Sequence, residues 1–169
     1  MYLNSNFDRL ITVVNAELEI LADWFKASRL SLNIKKTNYM LFGHKKPPPD
    51  SVFSSNFCLK IDNQSISAVN ETKFLGVVID QKLTWSNHIN YISAKVSKSL
   101  FILNRLVNKF NMKSLLSIYY SLVYPHLNYC NLIWGNASKS LIHDLFLLQK
   151  RAIRIVSRAS YRCHTDILF

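Results

Sequence analysis

Cysteine is sparse. Cys58, Cys130 and Cys163 are an odd number at long spacings, which suits neither a disulfide framework nor a CxxC metal knuckle. Free, buried thiols are expected. Long apolar runs are missing too: even the stretch at 114–124 is short and interrupted, well under the roughly 18–20 residues that cross a bilayer. No membrane span is expected. Residues 1–6 carry no basic segment followed by an apolar one, so no secretory leader is read there and an intracellular place, cytoplasm or nucleus, is expected. His44, His88, His126, His143 and His164 fall into no HxxxH or Cys/His spacing, which argues against a metal site. There is no internal repeat, and the prolines at 47–49 are the one biased tract.

Acid is scarce in one half only. Up to Trp85 ten Lys/Arg face eight Asp/Glu, whereas from Ser86 onward eleven face two, so nearly all of the net charge of +11 lies in the second half. A polyanionic partner follows. Nucleic acid fits better than a membrane surface, because the basic residues are spread over several segments of helical period. A merely soluble basic surface is the competing explanation.

About half of the 169 residues are apolar, enough for a buried core. Over residues 7–29 the positions Leu10, Val14, Leu18, Leu21 and Phe25 recur at steps of three or four, which predicts a helix with one buried face. Residues 38–43 read as a short strand and the prolines at 47–49 as an extended linker. Residues 57–61 and 66–69 bracket Asp62-Asn63-Gln64 as a hairpin, and 73–80 is a further β-rich segment. From residue 87 the period turns helical. Ile89, Ile92, Val96, Leu100, Leu103 and Val107 share one face, and Lys95, Lys98, Arg105 and Lys109 lie on the opposite one. Helices at 112–123 and 139–160 follow, the last burying Leu141, Leu145, Leu148, Ala152 and Ile155, with Lys150, Arg151, Arg154 and Arg158 to one side. Pro125 interrupts between them. The expected class is α+β, with an α+β part at 1–85, a basic helical part at 86–169 and the change of period and charge at 83–88.

Four stretches, in order, carry a resemblance. The first is Leu21-Ala22-Asp23-Trp24, then Leu30-x-Leu32-Asn33-x-x-Lys36-Thr37 before a strand. The second is Lys73-Phe74-Leu75-Gly76-Val77-Val78-Ile79-Asp80 with Leu83-Thr84-Trp85 and His88-Ile89. The third is Ile118-Tyr119-Tyr120-Ser121-Leu122-Val123-Tyr124-Pro125, continued by Leu127-Asn128-Tyr129-Cys130 and Ile133-Trp134-Gly135. The fourth is Leu148-Gln149-Lys150-Arg151-Ala152-Ile153-Arg154. In this order they resemble the C-terminal palm and thumb of non-LTR, LINE-like retrotransposon reverse transcriptases.

The resemblance implies an RNA-directed DNA polymerase parent whose chemistry uses two magnesium ions between primer hydroxyl and incoming nucleotide, held by carboxylates. The family supplies these from an upstream strand and an Ala-Asp-Asp hairpin expected just before Asn4. Neither pattern occurs here, and Asp8, Asp62, Glu71 and Asp80 are isolated. No cofactor is therefore expected in this chain, and alone it is expected not to polymerise.

Other roles follow from the family position by position. Lys36 would assist departure of pyrophosphate in the intact parent, its rival reading being a solvated lysine beside Lys35 at a turn, with Asn33 and Thr37 as turn caps. Phe74, Leu75 and Gly76 would form the turn that supports the primer, or an ordinary strand with a glycine bulge. Lys95, Lys98, Arg105, Lys109, Lys150, Arg151, Arg154 and Arg158 are candidates for phosphate contact along a template–primer duplex, against the alternative of a solvated helix face. Trp85, Trp134, Tyr119, Tyr120 and Tyr129 could stack on bases or fill the core. Two rival functions stay open: a stand-alone nucleic-acid-binding module retained by a host, and a helical module that pairs with protein through an unpaired sheet edge.

Overall fold

Helical period and strand-forming residues separate along this chain, and the elements follow them. The computed structural model describes residues 2–42, 58–160 and 162–165, with side chains from residue 9 onward. The prolines at 47–49, His44 and the side chain of Asp8 lie outside these. The described residues form an α+β fold of six α-helices and three two-stranded sheets. They fall into two compact units, Met1–Thr72 and Lys73–Phe169.

In the first unit α1 spans Tyr2–Ala27, longer at its start than the periodicity indicated. A 3-10 turn at Ile34–Lys36 leads into β1, Asn38–Tyr39. The turn is closed by Asn33, whose side chain accepts from the Lys36 amide while its carbonyl accepts from the Thr37 hydroxyl at 2.9 Å. Strands β2, Lys60–Ile61, and β3, Gln64–Ser65, form the antiparallel hairpin around Asp62-Asn63, both at positive φ as a two-residue hairpin turn requires.

β4, Ser67–Ala68, leaves that hairpin and pairs with β1 in parallel. The sequence leads one to expect a small antiparallel sheet here, but the β1–β4 pair is a separate two-stranded parallel sheet, which the long connection from β1 allows. The core here is small: Ala22, Leu59, Ile61 and Ile66, with Val14, Leu18, Leu32, Ile34 and Tyr39 packed against it. Strands of two residues cannot cover a helix of seven turns, so Leu10 and Leu21, expected inside, stay exposed.

The division between units falls within β5, Glu71–Phe74. It lies upstream of the change in charge and period at 83–88, because β6, Val77–Asp80, packs on the first helix of the basic half. That helix, α2, runs Ser86–Leu106 and is followed by α3, Met112–Leu122, α4, Tyr124–Asn128, α5, Asn131–Trp134, and α6, Lys139–Val156. Pro125 sits in the first turn of α4, where its missing amide proton costs nothing.

The core joins Ile89, Ile92, Val96, Leu100 and Leu103 of α2 to Leu115, Tyr119, Val123, Trp134, Leu145, Ala152 and Val156. Leu141, Leu148 and Ile155 pack at its edge. Each fully buried aliphatic side chain here contributes roughly 1.5–3 kcal/mol by leaving water. The three thiols are free, as expected, but none is buried: Cys58 is exposed, Cys130 and Cys163 half-buried. Cys130, at the left-handed start of α5, packs only at the edge of the core, and Cys163 lies beyond α6.

Candidate nucleic-acid interface

The hairpin of β5 and β6 turns at Leu75-Gly76, with φ of 46° and 87°. A two-residue turn of this hand favours glycine, and an added Cβ at Gly76 would meet Tyr129 Cε1 at an ordinary 3.5 Å. The glycine is therefore needed for its backbone, not for space. The phenol of Tyr129 donates a 2.6 Å hydrogen bond to the Leu75 carbonyl. The Tyr129 carbonyl in turn accepts from the Trp134 indole at 2.8 Å, so the turn is tied to the helical core through two residues. Phe74 and Leu75 keep 62% and 75% of their surface in solvent. The turn presents two large apolar side chains outward.

Beyond β6 the chain is folded around Asp80. Its carboxylate accepts from the amides of Lys82, Thr84 and Trp85 and from the Thr84 hydroxyl, over 2.8–3.2 Å. Partial burial pushes this carboxyl up, but the four donors outweigh it and hold it below the usual carboxylate range. Asp80, Thr84 and Trp85 thus shape the entry to α2, which begins after Trp85 in a left-handed conformation with no side-chain cap.

His88, one turn into α2, is 2% exposed. Its Nδ1 accepts from the Val78 amide at 3.2 Å, linking strand to helix and leaving the proton on Nε2. Nε2 has no hydrogen-bond partner among the described residues, and Trp134 stands edge-on to the imidazole at 5.8 Å. Burial pushes His88 below the usual histidine value.

On the outer face of α2 Lys95, Lys98 and Arg105 share a side by their spacing, whereas Lys109, expected on the same face, lies past the end of the helix at Leu106. Lys95 is half-buried, and Lys98, Arg105 and Lys109 are exposed. The Arg105 guanidinium lies 5.0 Å from the Phe101 ring. On α6 and just past its end at Val156 the four basic residues part company. Lys150 rests its ammonium 4.5 Å from the Phe146 ring, and Arg151 is exposed. Arg154 donates through Nε to the Cys163 carbonyl at 3.0 Å. Arg158, at φ 55°, reaches across to the carbonyls of Val107 and Phe110 at 3.0 and 2.7 Å, just past the end of α2. A cation there satisfies the open carbonyl of Val107, which caps α2, and that of Phe110 in the loop beyond it. Arg154 and Arg158 are engaged in holding the chain.

The sequence reading missed a cluster next to the turn. Lys73 donates to the Tyr91 hydroxyl at 2.8 Å and lies 4.5 Å from its ring centroid, and the Lys95 ammonium lies 4.7 Å from the same centroid. Hydrogen bonds from Lys73 and then Lys95 lower the phenol's affinity for its proton. His126 is held below its usual value by burial and by the charge of Lys95. Tyr91 and Lys95 stand at i and i+4, a visible signal, whereas Lys73 reaches them only through the fold.

In the first unit Lys36 is exposed on the 3-10 turn. Of the aromatic candidates, Trp134 and Tyr119 are buried, Trp85 is half-buried, and Tyr120 and Tyr129 are exposed. No group of three His, Cys, Asp or Glu able to hold a metal comes together among the described residues, so the donors present do not fit a two-metal centre. No helix among them is long and apolar enough to cross a membrane.

Four curated relatives match the chain, and all are polymerases of mobile elements. It is 28% identical over 140 residues, 80% of its length, to a probable RNA-directed DNA polymerase from transposon X-element of Drosophila melanogaster. It is 26% identical over 147 residues, 85% of its length, to that of transposon BS from the same fly, and 31% identical over 96 residues, 55% of its length, to that of the mobile element jockey. The relatives are non-LTR retrotransposon reverse transcriptases. The chain matches only 14% and 16% of the X-element and BS polymerases and 10% of the jockey one, so it spans a small part of these relatives' length. No family model matches the chain, and no solved structure does.

Proposed function

We propose that this chain is the part of a non-LTR reverse transcriptase where the palm ends and the thumb begins, and that it holds the template–primer duplex without carrying the polymerising centre. Residues 1–85 would be palm and 86–169 thumb. The supporting observation is the pinned turn at Phe74-Leu75-Gly76. Two apolar side chains are held out to solvent beside a helix whose outer face carries Lys95, Lys98 and Arg105, with Lys109 just past its end. A nucleic-acid strand offers the complement, with sugar and base faces beside a row of phosphates. The backbone contacts position the duplex and leave sequence unread.

Magnesium in the parent enzyme would be held by carboxylates outside this chain, a reading supported by the acids among the described residues not assembling. Lys36, exposed on its turn, would serve the triphosphate only in the company of that centre.

An RNA–DNA hybrid titrated with the purified chain at several salt concentrations tests this reading. We expect binding whatever the sequence, a steep fall with salt, and no nucleotide incorporation when magnesium and triphosphates are added. Affinity indifferent to salt, or none, would overturn it and favour a module that pairs with protein, including through the short unpaired sheet edges of the first unit. Incorporation by the chain alone would overturn the assignment of the metal carboxylates elsewhere.

A further inference from the structure

Lys73 and Lys95 are brought together by folding, from a strand and a helix, against one ring. Two like charges at this range repel, and the arrangement is offset only in part by the ring face and the phenol oxygen. That oxygen has two lone pairs, whereas two ammonium groups bring six donors between them. At least four donors face elsewhere. Tyr91 and Lys95 are half-buried and Lys73 is exposed, and thus a ligand has access.

We propose that Lys73 and Lys95, gathered on the phenol of Tyr91, form a seat for one phosphate group of a nucleic-acid backbone. This seat rests on the reading of the chain as a duplex-binding part of a polymerase and extends it to a defined contact. Tetrahedral oxygens can accept from both ammonium groups at once, which turns their repulsion into shared attraction.

The neighbourhood favours a polymer over a lone phosphate. Tyr91, Lys95, Lys98 and Arg105 follow one another at steps of four, three and seven along α2, a single face, with a rise of about 4.5 Å from Lys95 to Lys98. Phosphates on one strand of a duplex rise by about 3.4 Å each along its axis, so a row of cations at steps of about 4.5 and 10.5 Å can meet several groups of one strand without matching them one to one. At the other side of Lys73 stand Phe74 and Leu75, both exposed. A nucleotide presents its phosphate and its apolar sugar edge in the same order.

The test uses the whole chain and two probes. With an RNA–DNA hybrid, the double variant Lys73→Ala/Lys95→Ala should lower the slope of log affinity against log salt by roughly 0.9 per lysine, whereas Lys73→Arg/Lys95→Arg should retain it. With inorganic phosphate, NMR signals of the Lys73 and Lys95 side chains should shift and saturate where chloride moves them only linearly. Retained hybrid binding with an unchanged slope in the double alanine variant would overturn the seat and leave the broader function standing. If the native chain fails to bind hybrid at all, the broader reading falls, and the absence of a saturable phosphate shift would then overturn the seat as well.

Discussion

The hydroxyl of Tyr129, in the segment between α4 and α5, hydrogen-bonds the carbonyl of Leu75, 54 residues earlier in the chain. A turn that would otherwise be a free hairpin tip is fastened to the helices. Tyr129→Phe removes that bond with little change in volume, and we expect a stability loss of roughly 0.5–1.5 kcal/mol. The hairpin amides at Gly76 and Val77 should exchange faster with deuterium, and unchanged exchange would show that the bond does not hold the turn. Gly76→Ala should cost about 1–2 kcal/mol through its positive φ alone, since the added methyl group has room.

Arg158 joins the ends of two helices. Its guanidinium meets the carbonyls of Val107 and Phe110, and Arg158→Ala should destabilise the chain by about 1–2 kcal/mol in urea unfolding. Its effect on hybrid binding should be smaller than that of Lys98→Ala or Arg105→Ala. A variant of native stability with markedly weaker binding would reverse this ranking.

Acid should weaken the second unit in two stages. Burial lowers the pKa of His88 in the folded chain, so the unfolded chain binds the proton more readily. Stability is therefore full above the unfolded value of about 6.5 and falls as the pH drops below it. Asp80 is also depressed when folded, and its contribution is lost at lower pH, from about 4 downward through its folded value. Urea midpoints measured between pH 7.5 and 3 should show both losses, with His88→Gln removing the first and Asp80→Asn the second. A midpoint flat from pH 7.5 to 5 would contradict the buried, neutral state of His88.

Much of this was legible in the sequence where period decides. The face of α2 from Ile89 to Leu103 is buried as its spacing indicates, because a long helix against other helices repeats the same environment every turn. The first unit was harder to read. Ala22, small and unremarkable in a hydropathy pattern, is its buried helix residue, and the parallel pairing of β1 with β4 is a tertiary choice that strands of two residues do not encode.

The cationic face of α2 was visible on a helical wheel, while the different employment of the arginines in and just after α6 was not. Arg154 and Arg158 find their carbonyl partners in segments that only the fold brings near. Lys73 was hidden for the same reason: its partner Tyr91 lies 18 residues away across the strand-to-helix junction.

Phe101 and Arg105, like Phe146 and Lys150, stand four residues apart with the cation laid on the ring. A long side chain so rested has already given up part of its rotational freedom, so taking hold of a partner demands less further ordering of it, where an unrestrained lysine or arginine surrenders roughly 0.5–1.5 kcal/mol. Removing either ring while sparing its cation would thus leave net charge untouched and still slacken the grip.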